Sequence, residues 1–391
     1  MGGAMNYQSQ SAPVQGHVAP GFEAVAEEFA RNFTVRGDVG AAFAAVHKGA
    51  LVVDLWGGMA APGRPWQADT LQVIYSGTKG LFAGCVLKLV ERGQLDLNAP
   101  VARYWPEFAQ HGKGRVLVRH VTSHSAGLPG IVTPLGAADY TDYERMEELL
   151  AAQPLASDPN AFHCYHAVTI GWLVGALVRR IDGRTLGRFF AEEIAEPLGL
   201  DAYIGLPEAL EPRVGRLELG PGMLPYDEAF SEEQRADPVF HSIWGNPPLF
   251  PEDLAWNTRA YHAAEIGGAG GIATARSMAR YYGCMALGGS IDGVTILKPE
   301  TVALGRAEQS RFMDPYIAEA MAFGVGWALQ TPQGRFGPAP DAFGHSGAGG
   351  SIHGGWPTEQ VGFSYTMNQM RGDPEDLRSR HVLKRLYEIV R

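Results

Sequence analysis

Ile74-Tyr75-Ser76-Gly77-Thr78-Lys79-Gly80 joins an apolar run (Leu71, Val73, Ile74, Tyr75) to a helical pattern carried by Leu81, Phe82, Cys85, Val86, Leu89 and Val90. The stretch reads Ser-x-x-Lys where a strand gives way to a helix. Positions i and i+3 share a helix face, so the Ser76 hydroxyl and the Lys79 amine can meet. A serine hydroxyl is a poor nucleophile until a base takes its proton. A lysine serves as that base only when burial or a neighbouring cation lowers its pKa. A helix N-terminus adds N–H groups and a positive dipole suited to an oxyanion. The same residues also describe a plain helix start with one solvated lysine. Lysine is scarce here, six against twenty-six arginines, which favours a special role for Lys79.

Working outward, residues 22–33 have helical spacing (Phe22, Val25, Phe29, Phe33). Residues 40–47 and 50–56 read as strands joined by the tight turn Lys48-Gly49, with Gly57-Gly58 ending the second. The helix that starts at Ser76 runs to Gly93, a C-cap. Residues 95–260 are mostly helix and long loop, with buried helices over 168–181 and 186–194. Residues 205–260 hold Pro, Gly and aromatics (Trp244, Phe250, Trp256) with little periodicity, the character of ordered loops that line a substrate site. Strand signals return at 323–330, 342–345, 351–356 and 360–368, and 375–390 has the spacing of a terminal amphipathic helix. Strands at both ends with helices between predict an α/β (α+β) plan. A discontinuous α/β domain takes 17–94 and 261–391, and a mainly helical inserted domain takes 95–260. Residues 1–16 read as a flexible N-terminal lead, opening on a non-native leader, Met1-Gly2-Gly3-Ala4-Met5.

Composition limits the function classes. With 391 residues, 46% hydrophobic and 19% charged, the chain is a well-folded globule. A net charge of −10 and the lack of a Lys/Arg cluster argue against a nucleic-acid surface. Three widely spaced cysteines (Cys85, Cys164, Cys284) make a disulfide framework improbable. No stretch approaches the roughly 20 apolar residues of a membrane span. No secretory signal is visible, and the cytoplasm is the expected compartment.

Two further segments look chemically loaded: Cys164-Tyr165-His166-Ala167, and Gly344-His345-Ser346-Gly347-Ala348-Gly349-Gly350. Ser-x-x-Lys, then a tyrosine, then a [Lys/His]-[Ser/Thr]-Gly near the C-terminus resembles the serine β-lactamase and penicillin-binding-protein-like hydrolases. More narrowly, the chain resembles the class C β-lactamase-related esterases, the family VIII carboxylesterases. His120-Val121-Thr122-Ser123-His124-Ser125-Ala126-Gly127-Leu128-Pro129 and Gly270-Gly271-Ile272-Ala273-Thr274 are similar to further segments of that family. The resemblance runs from about residue 20 to the C-terminus. It implies a β-lactamase/transpeptidase-like fold, an antiparallel sheet flanked by helices plus the mostly helical inserted domain. It matches Ser76 to the nucleophile, Lys79 to its amine partner and Tyr165 to the general base/acid tyrosine, without settling which group takes the serine proton. It matches the backbone N–H groups of Ser76 and Ala348 to the oxyanion hole, and His345, Ser346 and Gly347 to the substrate-binding strand. No metal or other cofactor is implied.

Two departures stand out. The family's Tyr-x-Asn is Tyr165-His166-Ala167, and Lys-Thr-Gly is His345-Ser346-Gly347. Loss of the amide and of a permanent cation points away from penicillins and toward small neutral esters. The expected reaction is ester hydrolysis through a Ser76 acyl-enzyme. Acyl transfer to an alcohol or amine, weak β-lactamase or D-Ala-D-Ala peptidase action, and a silent ligand-binding relative are the alternatives. Each residue also has a plainer reading: Tyr165 as a core tyrosine, His345 bonded to a loop carbonyl, the glycines of 347–350 as a tight turn. Gly268-Ala269-Gly270-Gly271-Ile272-Ala273 fits a dinucleotide fingerprint but lacks its strand–helix setting. The pairs His120/His124 and His163/His166 lack the intervening glutamate of a zinc protease.

Overall fold

Lys48 and Gly49 both adopt positive φ (52° and 84°), the geometry of a two-residue hairpin turn, and set His47 opposite Ala50. From that hairpin grows the main sheet of the computed structural model, which describes residues 5–159, 161–251, 253–373 and 376–391. Among these residues the sheet has 11 strands. In order they are Met5–Gln8, Val14–Val18, Ala50–Ala61, Gly40–His47, Val361–Met367, Ile352–Trp356, Phe343–Ser346, Ala328–Leu329, Ala320–Phe323 and Ser310–Met313, with Arg64–Pro65 beside Ala50–Ala61. Every pairing is antiparallel.

The central strand Val361–Met367 is buried throughout, so both faces must be covered. Phe363 and Tyr365 point one way, toward the layer of Glu23–Thr34 and Arg378–Val390. There Phe29 meets Tyr365 at 6.1 Å between ring centroids, and Trp356 meets both Phe363 (5.0 Å) and Tyr387 (5.5 Å). Gly362 points the other way, against the helix Ala275–Ala286. A Cβ on Gly362 would lie 2.0 Å from the Gly283 nitrogen, so only glycine permits this approach.

Several boundaries differ from the sequence expectation. The lead 1–16, read as flexible, carries edge strands: Val14, Gly16 and Val18 turn inward, and two small valines gave little signal. Residues 1–4 lie outside the described residues, as do 374 and 375; the terminal helix, expected over 375–390, begins at Arg378, after the non-helical 376 and 377. Strand Ala50–Ala61 runs on through Gly57-Gly58. The expected strand 323–330 is two strands, because the chain reverses at Gly324–Gly326.

A second sheet joins the layers at the site. Gln72–Val73 and Ala202–Ile204 both pair with Gly271–Ala273. The helices Thr78–Glu91 and Thr169–Asp182 pack on each other beneath it. Behind the 347–350 turn, buried Arg378 donates to Asp38 Oδ1 (2.8 Å) and to the Gly349 carbonyl (3.1 Å). Tyr365 donates to the other side of Asp38. This network ties the C-terminal helix to the turn that carries Ala348. Among the described residues no helix is long and apolar enough to cross a membrane.

Candidate active site

The residues 74–80 wind as successive i to i+3 turns before the helix settles at Thr78. Gly77 N–H bonds Ile74 O (2.9 Å), Thr78 N–H bonds Tyr75 O (2.9 Å) and Lys79 N–H bonds Ser76 O (3.0 Å). In such turns side chains three apart eclipse, so the Ser-x-x-Lys spacing acts directly. Lys79 Nζ lies 3.0 Å from Ser76 Oγ. Tyr75 holds φ +44°, a costly value for a residue with a Cβ. Its ring is packed edge-on against Phe250 (5.7 Å) and Trp256 (5.1 Å). Thr78 Oγ1 locks the turn by donating to Tyr75 O (2.5 Å) and accepting from Gly271 N–H (2.7 Å).

Lys79 is fully buried. Its amine donates to two backbone carbonyls, Ala167 O and Gly268 O, each at 2.6 Å. Among the described residues no carboxylate pairs with it, and burial holds its pKa well below the ordinary lysine value. Gly268 reaches it because helix Thr169–Asp182 and the 267–268 backbone touch: a Cβ on Gly171 would lie 1.9 Å from Gly268 N. The glycines read as a weak dinucleotide motif therefore serve close packing.

Tyr165 lies beside this amine, its ring centroid 4.8 Å from Lys79 Nζ. Burial pushes the phenol pKa up, opposed by its hydrogen bond with Ser76. Three contacts fix the segment 164–167. Tyr165 N–H donates to Asp314 Oδ2 (2.6 Å), His166 N–H to His124 Nδ1 (2.9 Å), and Leu128 N–H to His166 Nε2 (3.2 Å). The His120–Pro129 motif is thus a brace for Tyr165, and His124 and His166 act as neutral hydrogen-bonding groups. Burial holds His124 well below the usual imidazole range and His166 at about 4.

The third segment closes the site. His345 is buried, donates from Nδ1 to Ser346 O (2.8 Å), and leaves Nε2 without a partner among the described residues. Burial, then the nearby Lys79, keeps it well below its ordinary pKa, so it does not restore the missing cation. A cation stands close by all the same. Arg335 reaches Ser346 Oγ (3.5 Å) and is paired with Glu319. Ser76, Tyr165, His345, Ser346, Gly347 and Ala348 all line one cavity of about 250 Å3. Its remaining wall is mostly apolar, including Trp244, Leu249, Phe250 and Trp256 from the aperiodic loop region. All expected site residues are therefore brought together. Asp314, Arg335 and Glu319 escaped the sequence reading: each is a single polar residue in a loop or at a strand edge, with no spacing to mark it.

A large antiparallel sheet with a serine, a buried lysine and a tyrosine converging beside it is the architecture of the serine β-lactamase-type hydrolases. The beta-lactamase family model matches residues 29–387, and the chain belongs to that family. Esterase/beta-lactamase LipL of Mycobacterium tuberculosis (strain ATCC 25618 / H37Rv) is 36% identical over 372 residues, covering 90% of this chain and 82% of LipL. A solved family VIII carboxylesterase aligns with TM-score 0.88 at 38% identity, over 96% of this chain and 99% of that one. A penicillin-binding protein homolog from Caulobacter crescentus aligns with TM-score 0.87 at 36% identity and the same coverage. The expected fold and the family resemblance both hold.

Asp314 accepts three backbone N–H groups, those of Tyr165, Tyr316 and Ile317. Leaving buried donors unpaired costs about 1–3 kcal/mol each. Asp314→Ala is expected to lower the melting temperature by several degrees and, by releasing Tyr165, to lower kcat about tenfold or more. Asp314→Asn, which keeps one acceptor oxygen, is expected to fall between. Unchanged kcat in a destabilised Asp314→Ala protein would limit Asp314 to a structural role.

Proposed function

We propose that the chain is a serine esterase that cleaves small neutral esters through a Ser76 acyl-enzyme. The observation that carries this is the set of acceptors around Lys79. Two of its three polar neighbours are carbonyls, which only accept. A neutral amine has two N–H groups, and those two carbonyls use both. Its lone pair is then left facing the third neighbour, the Ser76 hydroxyl. Lys79 is accordingly the base: it takes the Ser76 proton as Oγ attacks the ester carbonyl carbon. Tyr165, whose raised pKa keeps its proton at neutral pH, is the relay that delivers a proton to the departing alkoxide. The backbone N–H groups of Ser76 and Ala348 stabilise the tetrahedral oxyanion, and the Arg378 bond to Gly349 O holds that turn in place. Water then attacks the acyl-enzyme by the reverse proton path and releases the acid.

The preference for neutral esters rests on charge. Cavity residues His345 and Tyr165 are held neutral, and among the described residues the one lining cation, Arg335, is bonded to the lining carboxylate Glu319. Ala167 contributes its backbone carbonyl to Lys79 but no amide to a substrate. His345 Nε2 remains as an acceptor for a polar substrate group, with Ser346 and Gly347 beside it. The net charge of −10 speaks against a nucleic-acid partner, and three buried free cysteines suit the cytoplasm.

Hydrolysis of 4-nitrophenyl butyrate is the direct assay. Ser76→Ala is expected to lower kcat by a factor of about a thousand or more, with nitrocefin turned over far more slowly than the ester by the unsubstituted protein. A Ser76→Ala protein as fast as its parent would end this reading. Glu319→Gln unmasks Arg335. It is expected to raise kcat/KM for mono-4-nitrophenyl adipate over 4-nitrophenyl hexanoate about fivefold, the worth of a partly exposed ion pair. An unchanged ratio would remove charge cancellation as the source of the preference.

A further inference from the structure

A second cavity, of about 400 Å3, stands against the first. Trp244, Leu249, Phe250 and Ile317 line both, so a single layer of side chains lies between them. The far wall comes from Met223, Leu224, Ala229 and Phe230 of the 222–230 segment, with the rings of Tyr226 and Tyr316. Among the described residues no charged side chain lines it. The polar tips of the two tyrosines are turned to partners: Tyr226 Oη bonds His241 Nδ1 (3.2 Å) and Tyr316 Oη bonds Asp237 Oδ2 (3.4 Å). Most of what faces the cavity is hydrocarbon and ring. Its mouth is apolar too, with Leu224 47% exposed.

The dividing wall is built into the catalytic segment. Ile317 N–H and Tyr316 N–H bond Asp314 Oδ1 (2.9 Å each), and the other oxygen of that carboxylate holds Tyr165. On the opposite side, Trp256 Nε1 donates to Leu249 O (2.8 Å), and the Phe250 ring packs on Tyr75, next to the nucleophile. The wall is therefore positioned relative to Ser76 from both sides, while Phe250 and Ile317 are only partly buried. A folded chain leaves an apolar cavity beside its catalytic cavity at a cost, since the lining forgoes contacts.

We infer that this second cavity is a binding site for the uncharged aliphatic tail of an ester whose carbonyl sits at Ser76. The inference rests on the esterase reading and extends it to medium-chain substrates. The ester group occupies the first cavity, and the tail passes Phe250 and Ile317 into the second. Rotation of either side chain joins the two spaces. Each methylene moved from water into such a site favours binding by roughly fourfold, so selectivity should rise along a chain-length series instead of ending at the first cavity's wall.

The test uses the full-length protein with Ala229→Phe, which fills the second cavity from an exposed helix position that does not line the first. Leu224→Asp, which puts a charge at the mouth, is the second variant. Rates are read on 4-nitrophenyl acetate, butyrate and octanoate, and binding is read separately by tryptophan fluorescence with ethyl octanoate or octyl acetate on the Ser76→Ala background. Both cavity variants are expected to weaken binding of one of the two unreactive esters about tenfold. Where that ester is ethyl octanoate, kcat/KM for 4-nitrophenyl octanoate falls in step while acetate changes less than twofold; where it is octyl acetate, the 4-nitrophenyl series, which varies only the acyl chain, stays level. Which ester responds tells whether the acyl or the alkoxy tail takes the site. Octanoate and acetate rates that move together, with tail binding unaltered, would overturn the inference. Tail binding that responds to Ala229→Phe in a protein that hydrolyses no ester would uphold the site and overturn the esterase reading instead.

Discussion

The arrangement depends on one buried amine with no counter-charge. Among the described residues an ammonium at Lys79 would have only neutral dipoles as hydrogen-bond partners in a water-excluded site, and that is the condition under which a lysine gives up its proton. In the proposed chemistry, activation of Ser76 thus follows from where the Lys79 side chain is buried and needs no carboxylate. The same burial carries a stability cost with a definite sign. Between the lowered folded pKa and the ordinary value of about 10.4, the unfolded chain binds a proton that the folded chain does not. Stability therefore rises with pH across that window and falls as pH drops toward the folded value.

The two carbonyls that hold Lys79 arrive from distant parts of the chain, which is why so much of the structure converges here. Ala167 O is placed by a segment clamped between His124, Leu128 and Asp314. Gly268 O is placed by backbone contact with the helix that follows Tyr165. Thr78 then links the serine turn to Gly271, and Arg378 links the 347–350 turn to Asp38 across the sheet. Burial keeps the histidines of the site neutral, so the cavity offers mainly dipoles and hydrocarbon to a substrate, and the lining pair Arg335–Glu319 cancels itself.

The sequence displayed the parts of this site that depend on local spacing. Ser76 and Lys79 were visible because an i to i+3 turn eclipses its side chains, and the hairpin at Lys48-Gly49 because Gly49 suits positive φ. The central strands were visible because they are apolar over their full length. What stayed hidden depends on where loops end up. Asp314 and the Glu319–Arg335 pair are ordinary acids and bases until the sheet edge carries them to Tyr165 and Ser346. Arg378 sits at the start of a helix whose pattern announced only amphipathicity. The edge strand Val14–Val18 shows two small inward valines, too few to separate from a lead. His345 takes its plainer reading, bonded to the carbonyl of Ser346, and also lines the cavity in which the proposed ester would sit.

The proposed chemistry requires Lys79 to be a neutral amine in the folded protein at neutral pH. With only six lysines in the chain, NMR of isotope-labelled lysine side chains can resolve the Lys79 signal, assigned by its loss in Lys79→Met. The expected result is a Lys79 signal at the free-amine position in neutral solution and a titration midpoint well below about 10.4. A Lys79 that stays an ammonium up to that value would contradict it, and the proton of Ser76 would then need another acceptor.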